Sequence, residues 1–236
     1  MICIVSNYPP EIILALDVES RSTARSILKA TGEQLKWVKV GLQSYLRDGP
    51  DLISEIAGMG KRIFLDLKLH DIPNTMSKAL ESLSSLPIKM LTVHATAGPD
   101  ALSKCSKEAK TMMPEVTLLA VTVLTSMDKG NLSAIGVDSP VEEQVIKLAT
   151  LASESGIGGV VCSPLELEIL RPALPPETKL VTPGIRPSGS DHGDQKRIMT
   201  PSQAHRAGAD YLVIGRPILA APEPSDALAK IIGEMG

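Results

Sequence analysis

Eight short apolar runs, each followed by a longer amphipathic stretch, set the strongest limit on how this 236-residue chain can fold. The runs lie at 12–18, 37–42, 62–69, 90–95, 117–124, 159–162, 179–182 and 211–215. Apolar runs of this length, bounded by turn signals, read as strands buried on both faces. Apolar residues at helical spacing fill the intervals at 22–29, 51–59, 75–83, 99–110, 141–153, 165–170, 201–207 and 226–234. Strands and helices in strict alternation imply a parallel sheet, and eight such units predict an α/β fold of the (β/α)8 or TIM barrel type. A doubly wound open sheet is the alternative. The turn after the first strand, Leu16-Asp17-Val18-Glu19-Ser20, has no glycine, which counts against a dinucleotide-binding fold. No linker or low-complexity tract interrupts the chain, so a single domain over residues 1–236 is expected.

Local signals agree with this frame. Ser163-Pro164 and Thr200-Pro201 each set a capping residue before a proline at a helix start. The longest irregular segments, 126–140 and 186–199, both follow strands. In a barrel they fall on the C-terminal face, where barrels carry their active sites.

Composition narrows the function classes. A hydrophobic fraction of 43% supports a sizeable core, mainly aliphatic, because the chain has one Trp, one Phe and three Tyr. The net charge is −3, and Lys and Arg are scattered without interleaved aromatics, so no nucleic-acid partner is expected. Cys3, Cys105 and Cys162 are odd in number and far apart, which suggests a reducing compartment. His192 and His205 have no ligand spacing with each other or with a cysteine, so no metal site is expected. The N-terminus has no signal-peptide pattern and no apolar run reaches membrane-span length. A cytoplasmic protein without a membrane partner is therefore expected.

Chemistry concentrates in the third run. Asp66 and Lys68 stand inside it, and Asp71 follows its end. Burying charge in a strand is costly, so charges there point to a use. Two residues apart on a strand, Asp66 and Lys68 are expected on the same face. Other polar residues fall at or near strand ends: Asp17, Lys39, His94, Thr125, Arg186 and Arg216. Each has a plain structural explanation when taken alone. Asp17 would cap a helix, Lys39 would snorkel outward, His94 would be a satisfied core histidine and Thr75 an N-cap. That explanation strains when one barrel mouth must hold Asp17, Lys39, Asp66, Lys68 and Asp71 together. The segments Pro183-Gly184-Ile185-Arg186-Pro187 and Ile214-Gly215-Arg216-Pro217 follow the last two strands, where barrels often bind phosphate. Glycine lets backbone N–H groups approach an anion, and arginine supplies a fork for phosphate oxygens. Gln195 would add an amide donor.

Residues 66–75 carry the motif Asp-x-Lys-x-x-Asp-Ile-Pro-Asn-Thr, and with it the chain resembles the bacterial-type orotidine 5'-monophosphate decarboxylase family. The resemblance extends to Leu-Ala-Leu-Asp17, Val38-Lys39-Val40-Gly41, Thr92-Val93-His94-Ala95, the stretch ending Leu124-Thr125-Ser126, Pro183 to Pro187, Gly193-Asp194-Gln195 and Gly215-Arg216-Pro217. Leu69 departs from the Phe usual in bacterial relatives and is read as packing. The resemblance implies conversion of orotidine 5'-monophosphate to uridine 5'-monophosphate (UMP) and carbon dioxide, the last step of de novo pyrimidine nucleotide synthesis, without metal or organic cofactor. It also implies a homodimer of barrels with shared active sites. Lys39, Asp66, Lys68 and Asp71 would form the charged array, with Asp71 serving the neighbouring subunit and Lys68 protonating C6. Asp17 and Lys39 would bind the ribose, helped by Thr75 of the neighbour. Thr125, with or without Ser126, would contact the pyrimidine. Arg186, Gln195, Gly215 and Arg216 would hold the phosphate, and segment 186–197 would be the lid.

Two rivals share some of these features. Magnesium-dependent 3-keto-gulonate 6-phosphate decarboxylases and hexulose phosphate synthases have the Asp-x-Lys-x-x-Asp core, but Ile72-Pro73-Asn74-Thr75, the Thr125 segment and Gln195 speak against them. A non-catalytic nucleotide-binding barrel would keep the fold and forgo the chemistry.

Overall fold

The apolar runs become strands because each can bury both faces, one against the barrel interior and one against a helix. The computed structural model describes residues 9–187 and 197–235. Its strands are β1 (Glu11–Ala15), β2 (Trp37–Gly41), β3 (Arg62–Leu69), β4 (Met90–His94), β5 (Thr117–Val121), β6 (Gly159–Val161), β7 (Lys179–Thr182) and β8 (Tyr211–Ile214). All pair in parallel with their sequence neighbours, and β8 returns to β1 through Glu11↔Tyr211 to Leu14↔Ile214. The barrel is closed, as the eightfold pattern predicts, and the open sheet is excluded. The helices among the described residues are α1 (Arg21–Thr31), α2 (Leu42–Gly58), α3 (Pro73–Leu83), α4 (Pro99–Met112), α5 (Lys129–Ala134), α6 (Val141–Glu154), α7 (Leu167–Leu170), α8 (Pro201–Arg206), α9 (Arg216–Leu219) and α10 (Pro224–Gly233). No described helix is long and apolar enough to cross a membrane.

Helices α2 and α5 depart from expectation. Helix α2 begins at Leu42, well before the expected 51, and passes through a kink at Gly49, whose φ of 62° precedes Pro50. Gly-Pro reads as a break, but a glycine free to take positive φ lets two helical pieces join. Segment 126–140, expected to be irregular, contains α5. There Asp128 accepts from the Asn131 N–H, and the Asn131 side chain accepts from the Asp128 N–H, a reciprocal cap that stabilises so short a helix. Ser163 and Thr200 cap as expected, each accepting a backbone N–H of the turn it opens.

Strand alternation sorts the core into two layers. Leu14, Val38, Ile63, Leu65, Leu91, Val160 and Leu212 face outward into the large core under the helices. Ile13, Ala15, Trp37, Phe64, Met90, Leu119, Val181 and Val213 face inward and form a small separate floor. The only Trp and the only Phe of the chain both lie in that floor. Trp37 meets Tyr211 edge-on, with ring centroids 5.5 Å apart. Above the floor the next inward residues of β2, β3 and β4 are polar: Lys39, Asp66 and Thr92.

Candidate active site

The floor ends where β2 and β3 reach their next inward positions, Lys39 and Asp66. In register, Lys39 sits opposite Phe64 and Gly41 opposite Asp66. The Lys39 side chain turns inward, not outward between helices. Its Nζ lies 3.3 Å from both Asp17 carboxylate oxygens and 3.6 Å from Asp66 Oδ2. Lys68 Nζ donates to Asp66 at 2.9 Å from each oxygen. Asp17 is free for this role because Ser20, not Asp17, caps α1. The result is a line of alternating charge, Asp17–Lys39–Asp66–Lys68. Burial pushes the Asp66 carboxyl up, but the Lys39 and Lys68 ammonium groups, with hydrogen bonds from Lys68 and Thr92, outweigh it and hold it below the usual carboxylate range.

Asp66 and Lys68 meet as expected, but not by regular strand alternation. Lys68 has a φ of 51°, the only positive φ of a non-glycine among the described residues. The β3–β4 ladder passes from Leu65↔Leu91 to Leu69↔Val93, so four residues of β3 span what two of β4 span. This bulge re-aims Lys68 into the mouth, while Leu67 and Leu69 pack against the outer core. Leu69 is thus a packing residue, as read from the sequence.

Beside the charged line lies a cavity of about 180 Å³. Phe64, Val121, Val161 and Val213 supply its apolar wall, and Lys39, Asp66, Lys68 and Thr125 its polar one. Such a site suits a flat ring carrying polar edges. Pro183, just before Arg186, also lines it. Arg186 is buried, its N–H donating to the Met199 carbonyl at 2.9 Å. Gly215 and Arg216 open α9 after β8. Gln195 and His192 lie outside the described residues, as does most of segment 186–197. Arg197, at its far end, is ion-paired with Glu166 and donates to the Leu124 carbonyl at 3.2 Å, beside Thr125.

Asp71 and Thr75 are not brought into this protomer's cavity. Both are exposed, and an Asp71 oxygen accepts the Ile72 N–H at 2.7 Å. His94 bonds Thr96, its Nδ1 lying 2.7 Å from Thr96 Oγ1. Burial, with the nearby His70 and Lys68, lowers its pKa. Cys105 and Cys162 are buried, with thiols pushed up to about 11 and about 12, which removes them as nucleophiles. Among the described residues, no group of three or more His, Cys, Asp or Glu is placed to hold a metal ion.

Two residues at the site escaped the sequence reading of roles. Gly41 passes so close to the array that an added Cβ would stand 2.9 Å from Lys39 Nζ and 3.0 Å from Asp17 Oδ1. Thr92, fully buried on β4, bonds both Asp66 and the Lys68 backbone. Both fall within stretches that carry the resemblance, but only strand register reveals that they face the mouth.

Comparison with known proteins agrees with this geometry. The family model described as "Orotidine 5'-phosphate decarboxylase / HUMPS family" matches residues 10–231. The chain is 48% identical over 225 residues to an orotidine 5'-phosphate decarboxylase of Opitutus terrae, covering 95% of this chain and 98% of that one. It is 43% identical over 228 residues to one of Trichlorobacter lovleyi, covering 95% of each. The crystal structure of orotidine 5'-phosphate decarboxylase from Lactobacillus acidophilus matches with a TM-score of 0.85 at 36% identity, covering 96% of this chain and 99% of that one. With near full-length identity on a shared barrel, the chain belongs to the orotidine 5'-phosphate decarboxylase / HUMPS family.

Proposed function

We propose that this enzyme decarboxylates orotidine 5'-monophosphate to UMP and carbon dioxide, completing pyrimidine nucleotide synthesis. The observation that carries this reading is the buried Lys39–Asp66–Lys68 array set against an apolar cavity. Losing carbon dioxide from C6 leaves an electron pair that the pyrimidine ring delocalises poorly. Stabilisation must then come from charge already in place, in a site of low dielectric. The Lys68 ammonium stabilises the nascent carbanion and then donates its proton to C6. The Asp66 carboxylate disfavours the substrate carboxylate and fixes the ammonium opposite the reacting carbon. Lys39, bonded to both Asp17 and Asp66, ties the ribose end of the site to the reacting end. A barrier reduction of about 20 kcal/mol lies near the top of the usual enzyme range and exceeds what one ion pair supplies. Phosphate binding by Arg186, Gln195, Gly215 and Arg216 contributes the rest, as remote binding energy spent at the reacting centre. Thr125 contacts the base.

The same reading includes a homodimer in which Asp71 and Thr75 complete the neighbour's site. Their exposure on one protomer supports this, as do the exposed apolar side chains of Leu46 (79% exposed) and Ile72 (66% exposed). Mixing inactive Lys68→Ala and Asp71→Ala proteins should restore about a quarter of wild-type activity at full subunit exchange, since half the dimers then hold one intact site of two. Exchange without recovery would show that Asp71 serves its own subunit.

The primary experiment mixes the protein with orotidine 5'-monophosphate and a chelator and follows ultraviolet absorbance. Steady turnover is expected. No turnover with or without magnesium ends the decarboxylase reading, and turnover lost only to the chelator favours the magnesium-dependent sugar-phosphate class.

A further inference from the structure

Thr92 makes two hydrogen bonds that the reaction scheme above leaves unused. Its hydroxyl accepts the Lys68 backbone N–H at 2.8 Å and donates to Asp66 Oδ1 at 2.9 Å. The side chain is 0% exposed, so water does not compete for either bond. A hydroxyl carries one proton. Because the amide is itself a donor, that proton is committed to the carboxylate, and the direction of both bonds is fixed. The bonds fall where the β3–β4 ladder is broken, between Leu65↔Leu91 and Leu69↔Val93. They also fall on the one described non-glycine residue with positive φ. An L-residue in that conformation persists only where its surroundings hold it.

We propose that Thr92 is a positioning residue, pinning the left-handed backbone of Lys68 and the carboxylate of Asp66 to one rigid point on β4. The two partners of the 2.9 Å ion pair are thereby held from opposite ends, one by its main chain and one by its oxygen. The hydroxyl sets the height of the ammonium above the cavity floor before substrate arrives. It takes no part in binding the nucleotide, because it is wholly covered by the groups it orients. This proposal rests on the decarboxylase reading and adds a residue to it.

The test compares Thr92→Val, which keeps the branched shape and loses the hydroxyl, with Thr92→Ser, which keeps the hydroxyl. In Thr92→Val, kcat should fall about 10- to 100-fold while KM for orotidine 5'-monophosphate moves by about threefold or less. Calorimetric UMP affinity should stay near wild type. Thr92→Ser should retain kcat within about threefold. Wild-type kcat in Thr92→Val, or an equal loss in Thr92→Ser, overturns the proposal. If Thr92→Val does not fold, Thr92→Ala takes its place with the same expectations. Should both hydroxyl-free variants fail to fold, Thr92 holds the barrel and not the site, and the proposal falls. Wild-type protein without turnover would end the decarboxylase reading itself, whereas an active wild type beside an unimpaired Thr92→Val ends only this inference.

Discussion

The lower and upper halves of the barrel interior are built from the same strands and do opposite things. On β2 the inward residues run Trp37, Lys39, Gly41; on β3, Phe64, Asp66; on β4, Met90, Thr92. On these three strands one step of two residues leads from apolar packing to charge or hydrogen bonding. The floor is mainly apolar packing by eight side chains, which tolerates exchange of shape at constant volume better than a polar network does. The mouth is not redundant, because each group there satisfies a named partner. Lys39 answers Asp17 and Asp66, and Thr92 answers Asp66 and Lys68. Each of these three strands is therefore divided along its length into an apolar part and a part that presents charged or hydrogen-bonding groups to the mouth.

The largest effect is expected at Lys68. Lys68→Ala should lower turnover by about 10³-fold or more, because under the proposed mechanism it removes both the charge opposite the carbanion and the proton donor, yet leave UMP binding and folding largely intact. Single-turnover kinetics beside calorimetric UMP titration would measure both, and near-normal turnover would remove Lys68 from the proton-donor role. Met90, two residues below Thr92, should behave in the reverse way. Met90→Ala should cost about 2–5 kcal/mol of stability in denaturant titration while kcat per folded molecule stays near wild type. A large kcat loss there would mean that floor and mouth are mechanically one unit. Gly41→Ala gives a smaller, purely local effect. Its new Cβ would crowd Lys39 Nζ and Asp17 Oδ1, both ends of flexible side chains, so the fold should survive while kcat/KM drops about tenfold. An unchanged kcat/KM would show that the Asp17–Lys39 end tolerates displacement.

The smallest effect concerns pH. Asp66 has its carboxyl held low in the folded state, so its contribution to stability is present above the unfolded pKa and is lost as pH falls through the folded one. Melting temperatures of wild type and Asp66→Asn should therefore differ most at neutral pH and converge below about pH 4. A gap that stays constant into acid would mean that the flanking lysines do not hold Asp66 ionised.

The sequence reveals most where a residue's neighbours along the chain decide its state. Strands β3 and β7 begin and end where their apolar runs do, because charged or proline residues bound them. Strands β1 and β5 stop short of their runs, since Leu16, Val18 and Val123 are buried apolar residues lying past the last ladder pair. Burial and pairing are different properties, and periodicity reports only the first. The front half of α2 was hidden by Gly49-Pro50, and α5 by its brevity within a polar stretch. At the site, Asp17, Lys39, Asp66, Lys68 and Thr125 were legible because charge or polarity at a strand end is unusual. Gly41 and Thr92 were not, because glycine ends many strands and threonine is an ordinary β-former. The bulge at Lys68 was also invisible: alternation gives the right neighbour for Asp66 by the wrong geometry, and only the pairing with β4 shows it.

The left-handed backbone of Lys68 has one more consequence, for how such a chain drifts under mutation. An L-residue in this conformation costs about 1–2 kcal/mol relative to a relaxed one, a penalty glycine does not carry. At its mouth the barrel thus holds a residue its own backbone would exchange for a smaller one. Selection for melting temperature alone will press on Lys68 to be lost, and under the proposed proton-donor role selection for turnover keeps it there.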